Sequence, residues 1–172
     1  MPLPYFDGQA MNDFSRRRHL AKILRRAPKL VYLGARVYRV FQPKYSIGVV
    51  GVLFNQAGQV LLVEHVFHPK NPWGLPGGWL AKHENPAQTV VRELQEELEL
   101  EIEIGPLVLA EVSYPGHLDM AYLCSARNEI GNLNAELLDY RWCDPHELPG
   151  VQRFHRRAIS RALEFLEEKM QV

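Results

Sequence analysis

The sequence predicts a mixed α/β (α+β) fold, a mixed sheet covered by helices, and three observations predict it. A run rich in β-branched residues at 46–54 and a second at 59–66 flank a turn. A proline-led helical stretch at 86–98 separates them from three further strand-like segments. The chain then ends on an amphipathic stretch at 151–170. With 172 residues, 47% hydrophobic and 23% charged, the chain suits one globular domain with an ordinary core rather than two.

Taken in order, Met11 to Arg26 places Phe14, Leu20, Ile23, Leu24 and Ala27 at helical spacing among basic residues, and Pro28 should end or kink that helix. A second helical stretch is expected from Leu30 to Phe41. Residues 1–45 thus read as a basic helical arm and 46–172 as the main domain. The arm holds ten Lys and Arg against Asp7 and Asp13, net +8, so in a chain of formal charge zero the remainder carries −8. An acidic body suits an enzyme that gathers divalent cations. The arm, with Arg16, Arg17, Arg18, Lys22, Arg25, Arg26 and Lys29, reads most simply as a helix docked on that body or at a homodimer contact. A membrane surface and nucleic acid are the other candidate partners.

Ser46 to Phe54, the turn residues Asn55-Gln56-Ala57-Gly58 and Gln59 to Val66 read as a β-hairpin. Residues 67–85 read as a long Pro/Gly/Trp-rich loop, and Pro86 as the first residue of a helix ending near Leu98. Strands are expected at 101–113, 119–126 and 136–143. In the last helix Phe154, Ala158, Ile159, Ala162, Leu163 and Leu166 form one stripe to pack on the sheet. Neither an apolar leader segment nor a run of membrane-spanning length is seen, which sets the cytoplasm as the expected compartment. Cys124 and Cys143 lack disulfide or metal spacing and read as reduced thiols.

The chemistry concentrates in GGWLAKHENPAQTVVRELQEELEL, which starts at Gly77. Glu84 precedes the helix, and Arg92, Glu93, Glu96 and Glu97 lie on it. Offsets of three and four put Glu96 and Glu97 beside Glu93 on one face, with Val90, Val91, Leu94 and Leu98 left for the core. Carboxylates crowded in this way repel one another until a cation joins them, and hard oxygen donors suit Mg²⁺ or Mn²⁺.

This segment resembles the Nudix box, G-x5-E-x7-R-E-U-x-E-E-x-G-U with U a bulky aliphatic. Gly78, Glu84, Arg92, Glu93, Leu94, Glu96, Glu97 and Leu100 match in order and spacing. Any one glutamate would ordinarily be read as a solvated helix face. Six fixed letters at roughly 6% usage each, however, agree by chance on the order of 10⁻⁸ per starting position. Leu75-Pro76-Gly77, Tyr140-Arg141-Trp142 and Glu147-Leu148-Pro149 extend the likeness over roughly 46–166. Glu99 departs from the pattern. It stands where the family has a glycine that ends the helix left-handed, and a residue with a Cβ pays roughly 1–2 kcal/mol there.

The resemblance implies a Nudix-type α/β/α sandwich and a metal-dependent pyrophosphohydrolase of the MutT-like kind. It assigns Glu93, Glu96, Glu97 and the Gly77 carbonyl to metal binding. Arg92 would orient the glutamates, Gly78 and Glu84 would support the site, and Glu84 would hold the network of metal-bound water. The catalytic base varies within the family and is either a box glutamate or a later carboxylate, for which Glu136 is the first candidate. The implied reaction is hydrolysis of a phosphoanhydride in a nucleoside diphosphate joined to another group.

Pro115, fifteen residues after Leu100, lies in Ser113-Tyr114-Pro115-Gly116, which is similar to an element of some ADP-ribose pyrophosphatases and reads equally as a turn. Trp73, Trp79, Phe67, Tyr45 and Tyr114 are candidate base platforms, or core. His65, His68, His83 and His117 lack metal-ligand spacing and read as surface or structural. ADP-ribose or a nucleotide sugar, a dinucleoside polyphosphate and a damaged nucleoside triphosphate stay open as substrates. A non-catalytic nucleotide sensor is the alternative of another class, disfavoured because a pure binding module has no need of so much mutual repulsion.

Overall fold

The computed structural model describes residues 17, 18, 21, 22, 25, 26, 28–67 and 70–170. The expected apolar positions Phe14, Leu20, Ile23, Leu24 and Ala27, together with Arg16 and His68, lie outside them. The chain divides into two compact units, 1–43 and 44–172. In the first, Arg17, Arg18, Lys22, Arg25 and Arg26 are helical, and α1 spans Pro28–Val40. Proline is tolerated in a helix's first turn, where its missing N–H has no partner to lose, so Pro28 begins α1 here. Val31, Leu33, Val37, Tyr38, Val40 and Phe41 are exposed. That apolar surface needs a cover, whereas every box carboxylate lies beyond residue 77. Removing residues 1–40 is therefore expected to change solubility or melting temperature more than turnover. A soluble truncation with its melting temperature intact and its turnover lost would contradict this.

The second unit runs β1 (Ser46–Leu53), β2 (Val60–His65), β3 (Trp73–Gly74), β4 (Gly77–Trp79), α2 (Pro86–Leu98), β5 (Ile102–Tyr114), β6 (His117–Ala126), β7 (Leu137–Cys143) and α3 (Arg153–Met170). One sheet has the order β4-β1-β6-β5 and the other β3-β2-β7. The first is mixed, because β1 pairs parallel with β6 and antiparallel with β4. Alternate side chains of β1 and β2 feed two cores. Val50, Val52, Val60 and Leu62 pack with Phe154, Ala158, Ile159 and Ala162 of α3. Val49, Leu53, Leu61 and Val63 pack with Val90, Leu94 and Leu98 of α2. The β layer is thus enclosed between α2 and α3, as an α/β/α sandwich requires.

The expected hairpin is not one. The turn is formed, with Asn55 Oδ1 accepting from the N–H groups of Ala57 and Gln59 at 3.0 Å each and Gly58 at φ 76°. Beyond a single bridge, Phe54 to Val60, the strands part into different sheets. Each already has both edges filled, β1 by β4 and β6 and β2 by β3 and β7, so neither has an edge for the other. The expected loop at 67–85 likewise contains two short strands, β3 and β4. Val91 is 41% exposed and does not join the core, in contrast to Val90, Leu94 and Leu98.

Helix α2 begins at Pro86 and ends at Leu98, as the sequence indicates. Asn85 caps it, its Oδ1 accepting from Gln88 N–H at 3.0 Å while Gln88 Oε1 accepts from Asn85 N–H at 3.2 Å. The exit turns on Glu99, which is left-handed at φ 52°, ψ 32°. The strain is offset locally. The Glu99 carboxylate accepts from Asn132 N–H at 3.3 Å and from its amide, and Asn128 donates to the Glu99 carbonyl at 3.0 Å. Glycine here would relieve backbone strain but release Asn132. Glu99→Gly is thus expected to raise stability by at most ~0.5 kcal/mol, whereas Glu99→Ala, which keeps the strain and loses the bonds, should cost ~1–2 kcal/mol in thermal melts. A stabilising Glu99→Ala would contradict the cap.

Candidate active site

β4, β1 and α2 bring the box residues together. β4 passes antiparallel to β1, pairing Val49 with Gly78 and Val50 with Gly77, and this seats the Gly77-Gly78 edge beside the middle of β1. Gly77 adopts φ 145°, and a Cβ there would lie 2.2 Å from the Val49 carbonyl oxygen. A Cβ on Gly78 would lie 2.3 Å from Glu93 Oε1, so the second glycine leaves room for a carboxylate. The two glycines let a main-chain edge and a helix face approach more closely than side chains would permit.

Arg92 organises the acids. Its Nε donates to Glu84 Oε1 at 2.9 Å and its Nη2 to Glu84 Oε2 at 3.1 Å, a two-pronged pair. Nη1 donates to Glu93 Oε1 at 2.8 Å and to the exposed Glu96 at 3.3 Å, and Nη2 also reaches the Trp79 carbonyl at 3.3 Å. The guanidinium, helped by Thr89 Oγ1 at 2.8 Å and Ala81 N–H at 3.2 Å, holds the Glu84 carboxyl down to about 2. In return Arg92 is held above its ordinary value, chiefly by the hydrogen bond to Glu84. Both Glu84 oxygens are thereby engaged by the protein itself.

Glu97 is the opposite case. It is 3% exposed, and its one side-chain hydrogen bond among the described residues is from Gly77 N–H at 3.2 Å. Burial first, then the charges of Glu93, Glu136 and Glu96, push its carboxyl up to about 8. Burial also raises Glu93, against the pull of Arg92. A buried carboxyl with one N–H donor and acidic neighbours has nothing in the protein to balance the charge it takes on when it ionises. The donor set therefore fits a hard divalent cation. Among the described residues no three His, Cys, Asp or Glu side chains converge on one point as metal ligands, so Glu93 and Glu97 would be joined by main-chain and substrate oxygens. An open face of oxygens suits an ion of the Mg²⁺ kind, which keeps waters and takes phosphate oxygens as further ligands.

The charge of Glu136, from the segment preceding β7, adds a smaller contribution to the raising of both Glu93 and Glu97. Sequence reasoning missed Thr89, fully buried beneath Glu84, and a cluster at the start of β6. There His117, 4% exposed, places Nδ1 2.8 Å from Ser46 Oγ and Nε2 2.9 Å from Asp119 Oδ1. No local spacing marks it, because Ser46 and His117 meet only through the parallel β1–β6 pairing. Of the aromatic candidates Trp73 is core, with the Arg141 guanidinium 3.5 Å from its ring centre, whereas Trp79, Phe67, Tyr45 and Tyr114 are exposed.

Fold and site together define a class: a sandwich whose central helix presents an arginine-ordered row of carboxylates beside a glycine edge. The NUDIX domain matches residues 44–163, and the chain belongs to that family of pyrophosphohydrolases. A MutT-like protein of Streptomyces ambofaciens is 25% identical over 120 residues, 69% of this chain and 77% of that one. An ADP-ribose pyrophosphatase from Streptococcus suis shares the fold at TM-score 0.60 and 22% identity, over 72% of this chain and 91% of that one. A UDP-X diphosphatase does so at TM-score 0.62 and 15% identity, over 95% and 86%. Among the described residues no helix is long and apolar enough to cross a membrane.

Proposed function

We propose that this chain uses Mg²⁺ or Mn²⁺ to hydrolyse the phosphoanhydride bond of a nucleoside diphosphate joined to a second group, ADP-ribose or a nucleotide sugar being the first compounds to test. The observation that carries the reading is Glu97, a buried carboxyl beside Glu93 and the Gly77-Gly78 edge that the protein gives no positive partner and whose ionisation a cation would favour. A sensor that never held a cation would have no use for that cost.

When bound, the divalent ion neutralises diphosphate oxygens and lowers the pKa of a coordinated water. Glu93, Glu96, Glu97 and the Gly77 carbonyl are the groups to hold it. Arg92 keeps Glu93 and Glu96 turned to one side, and Glu84, fully engaged, keeps Arg92 from swinging away. Glu136 is the candidate to take the proton from the attacking water, its own charge already felt by Glu93 and Glu97. The names of the Streptococcus suis and UDP-X relatives support a diphosphate that carries a second group.

A panel of ADP-ribose, nucleotide sugars, dinucleoside polyphosphates and nucleoside triphosphates, assayed with each metal by coupled phosphate release, tests the reading. Highest kcat/KM is expected on the diphosphates that carry a second group. Absence of cleavage across the panel with both metals would overturn it.

A further inference from the structure

A cleft of about 170 Å³ opens on the α3 side of the β4-β1-β6 rows, and Gly77 and Gly78 form its rim. This is well below the ~300–1,000 Å³ that encloses a drug-sized ligand, so it takes one ring of a nucleotide and not the whole. Its polar side chains are His65, His117, Asp119, Gln152 and His155, and Asp119 is the one carboxylate among them. A Cβ on Gly48 would lie 2.5 Å from Asp119 Oδ1, so β1 leaves this place free of side chain for the carboxylate to occupy. Because an ionised Asp119 only accepts, His117 Nε2 carries the proton of their 2.9 Å bond, while Nδ1 lies 2.8 Å from Ser46 Oγ, which is also 3.3 Å from the Gly116 carbonyl oxygen. Ser113 Oγ donates to the second Asp119 oxygen at 2.5 Å. Each oxygen is thus fixed by one donor and keeps a lone pair for another, since a carboxylate offers about four acceptor sites. Tyr114 stacks on His117 at 4.4 Å and 17°, Trp79 meets the same ring edge-on at 5.0 Å, and both aromatics are more than half exposed.

We infer that this cleft is the specificity subsite for a neutral ribosyl group attached to the diphosphate, with Asp119 accepting from its vicinal diol and Trp79 and Tyr114 flanking the ring. This rests on the diphosphate reading given above. Two carboxylate oxygens, each with a lone pair to spare, match two adjacent hydroxyls, and a carboxylate at that point disfavours a further phosphate beside it. The rim glycines join the subsite to the carboxylates, because Gly78 faces Glu93 on one side and the next residue, Trp79, faces His117 on the other. The diol has two sources in ADP-ribose, the terminal ribose and that of the nucleoside.

The test compares the full-length protein with Asp119→Asn and Trp79→Ala on three probes: ADP-ribose, an ADP ester of a simple alkyl alcohol, and ADP-ribose whose adenosine is 2′,3′-dideoxy. Asp119→Asn is expected to raise KM for ADP-ribose at least tenfold with kcat within about threefold, and Trp79→Ala, at the surface, at least fivefold. The effect of Asp119→Asn should vanish on the probe that lacks the recognised diol, which identifies its source. KM for ADP-ribose within twofold of wild type in both variants would overturn the assignment. Calorimetric titration of ADP-ribose without metal reads the same dependence in the absence of turnover. A wild type that binds through Asp119 but cuts nothing sinks the hydrolase reading and keeps the subsite, whereas Asp119-independent binding sinks the subsite.

Discussion

Glu97→Gln is expected to lower turnover at least a hundredfold while making the metal-free protein more stable at pH 8. Both follow from one fact, that the wild-type carboxyl is buried and pushed up to about 8, from 4.5 ordinarily. A group whose folded pKa lies above its unfolded value contributes stability that is full below about 4.5 and lost as pH rises through about 8. In chelator at pH 8 wild type has lost much of that contribution, on the order of a few kcal/mol. Glutamine keeps an oxygen to accept from Gly77 and never ionises, so its melting temperature should be higher by roughly 5 °C at pH 8, the gap closing toward pH 5. Excess Mg²⁺ should then raise wild type and leave the variant nearly unmoved, because a ligand stabilises only the state it binds. Glu93→Gln should share the hundredfold loss. Activity near wild type at saturating Mg²⁺, or a destabilised Glu97→Gln in chelator at pH 8, would contradict the role given to Glu97.

The second large effect is on the fold. Gly77→Ala places a methyl 2.2 Å from a backbone oxygen and 2.7 Å from the Val50 Cα, at φ 145°, where L side chains rarely sit. Backbone cannot step aside as a side-chain tip can. A loss of roughly 3 kcal/mol or more is expected, a fall in melting temperature of ~6–12 °C for a chain of this size, or no soluble protein at all. Gly78→Ala meets a carboxylate instead, which can rotate, so it should stay folded and lose activity as Glu93 is displaced. An alanine at 77 that melts like wild type would mean that the edge is not packed as described.

These contrasts show what was legible in the sequence. The box was, because its carboxylates lie on one helix whose period is local: Pro86 opens it, Leu98 closes it, and Glu99 takes the left-handed exit that its position in the pattern demands. The terminal helix was legible for the same reason. The pairing of β1 was not. A turn at 55–58 looks the same whether it joins neighbours in one sheet or strands of two, and only the partners, β4 and β6, decide. The sign available was the absence of polar residues from Val49 to Leu53 and from Val60 to Val63, where an edge hairpin would alternate. The cluster of Ser46, His117 and Asp119 was invisible for a related reason. Its members are drawn together by a parallel register across 71 residues, and His117, read singly, resembles any other histidine.

The central claim is that water cuts a phosphoanhydride bond, and hydrolysis of ADP-ribose in ¹⁸O-labelled water with Mg²⁺ tests it most directly. A single in-line attack on one phosphorus should give AMP and ribose 5-phosphate, with the label on just one of the two. Free adenine or adenosine as the first product would mean that a glycosidic or ester bond is broken instead, and would contradict the account.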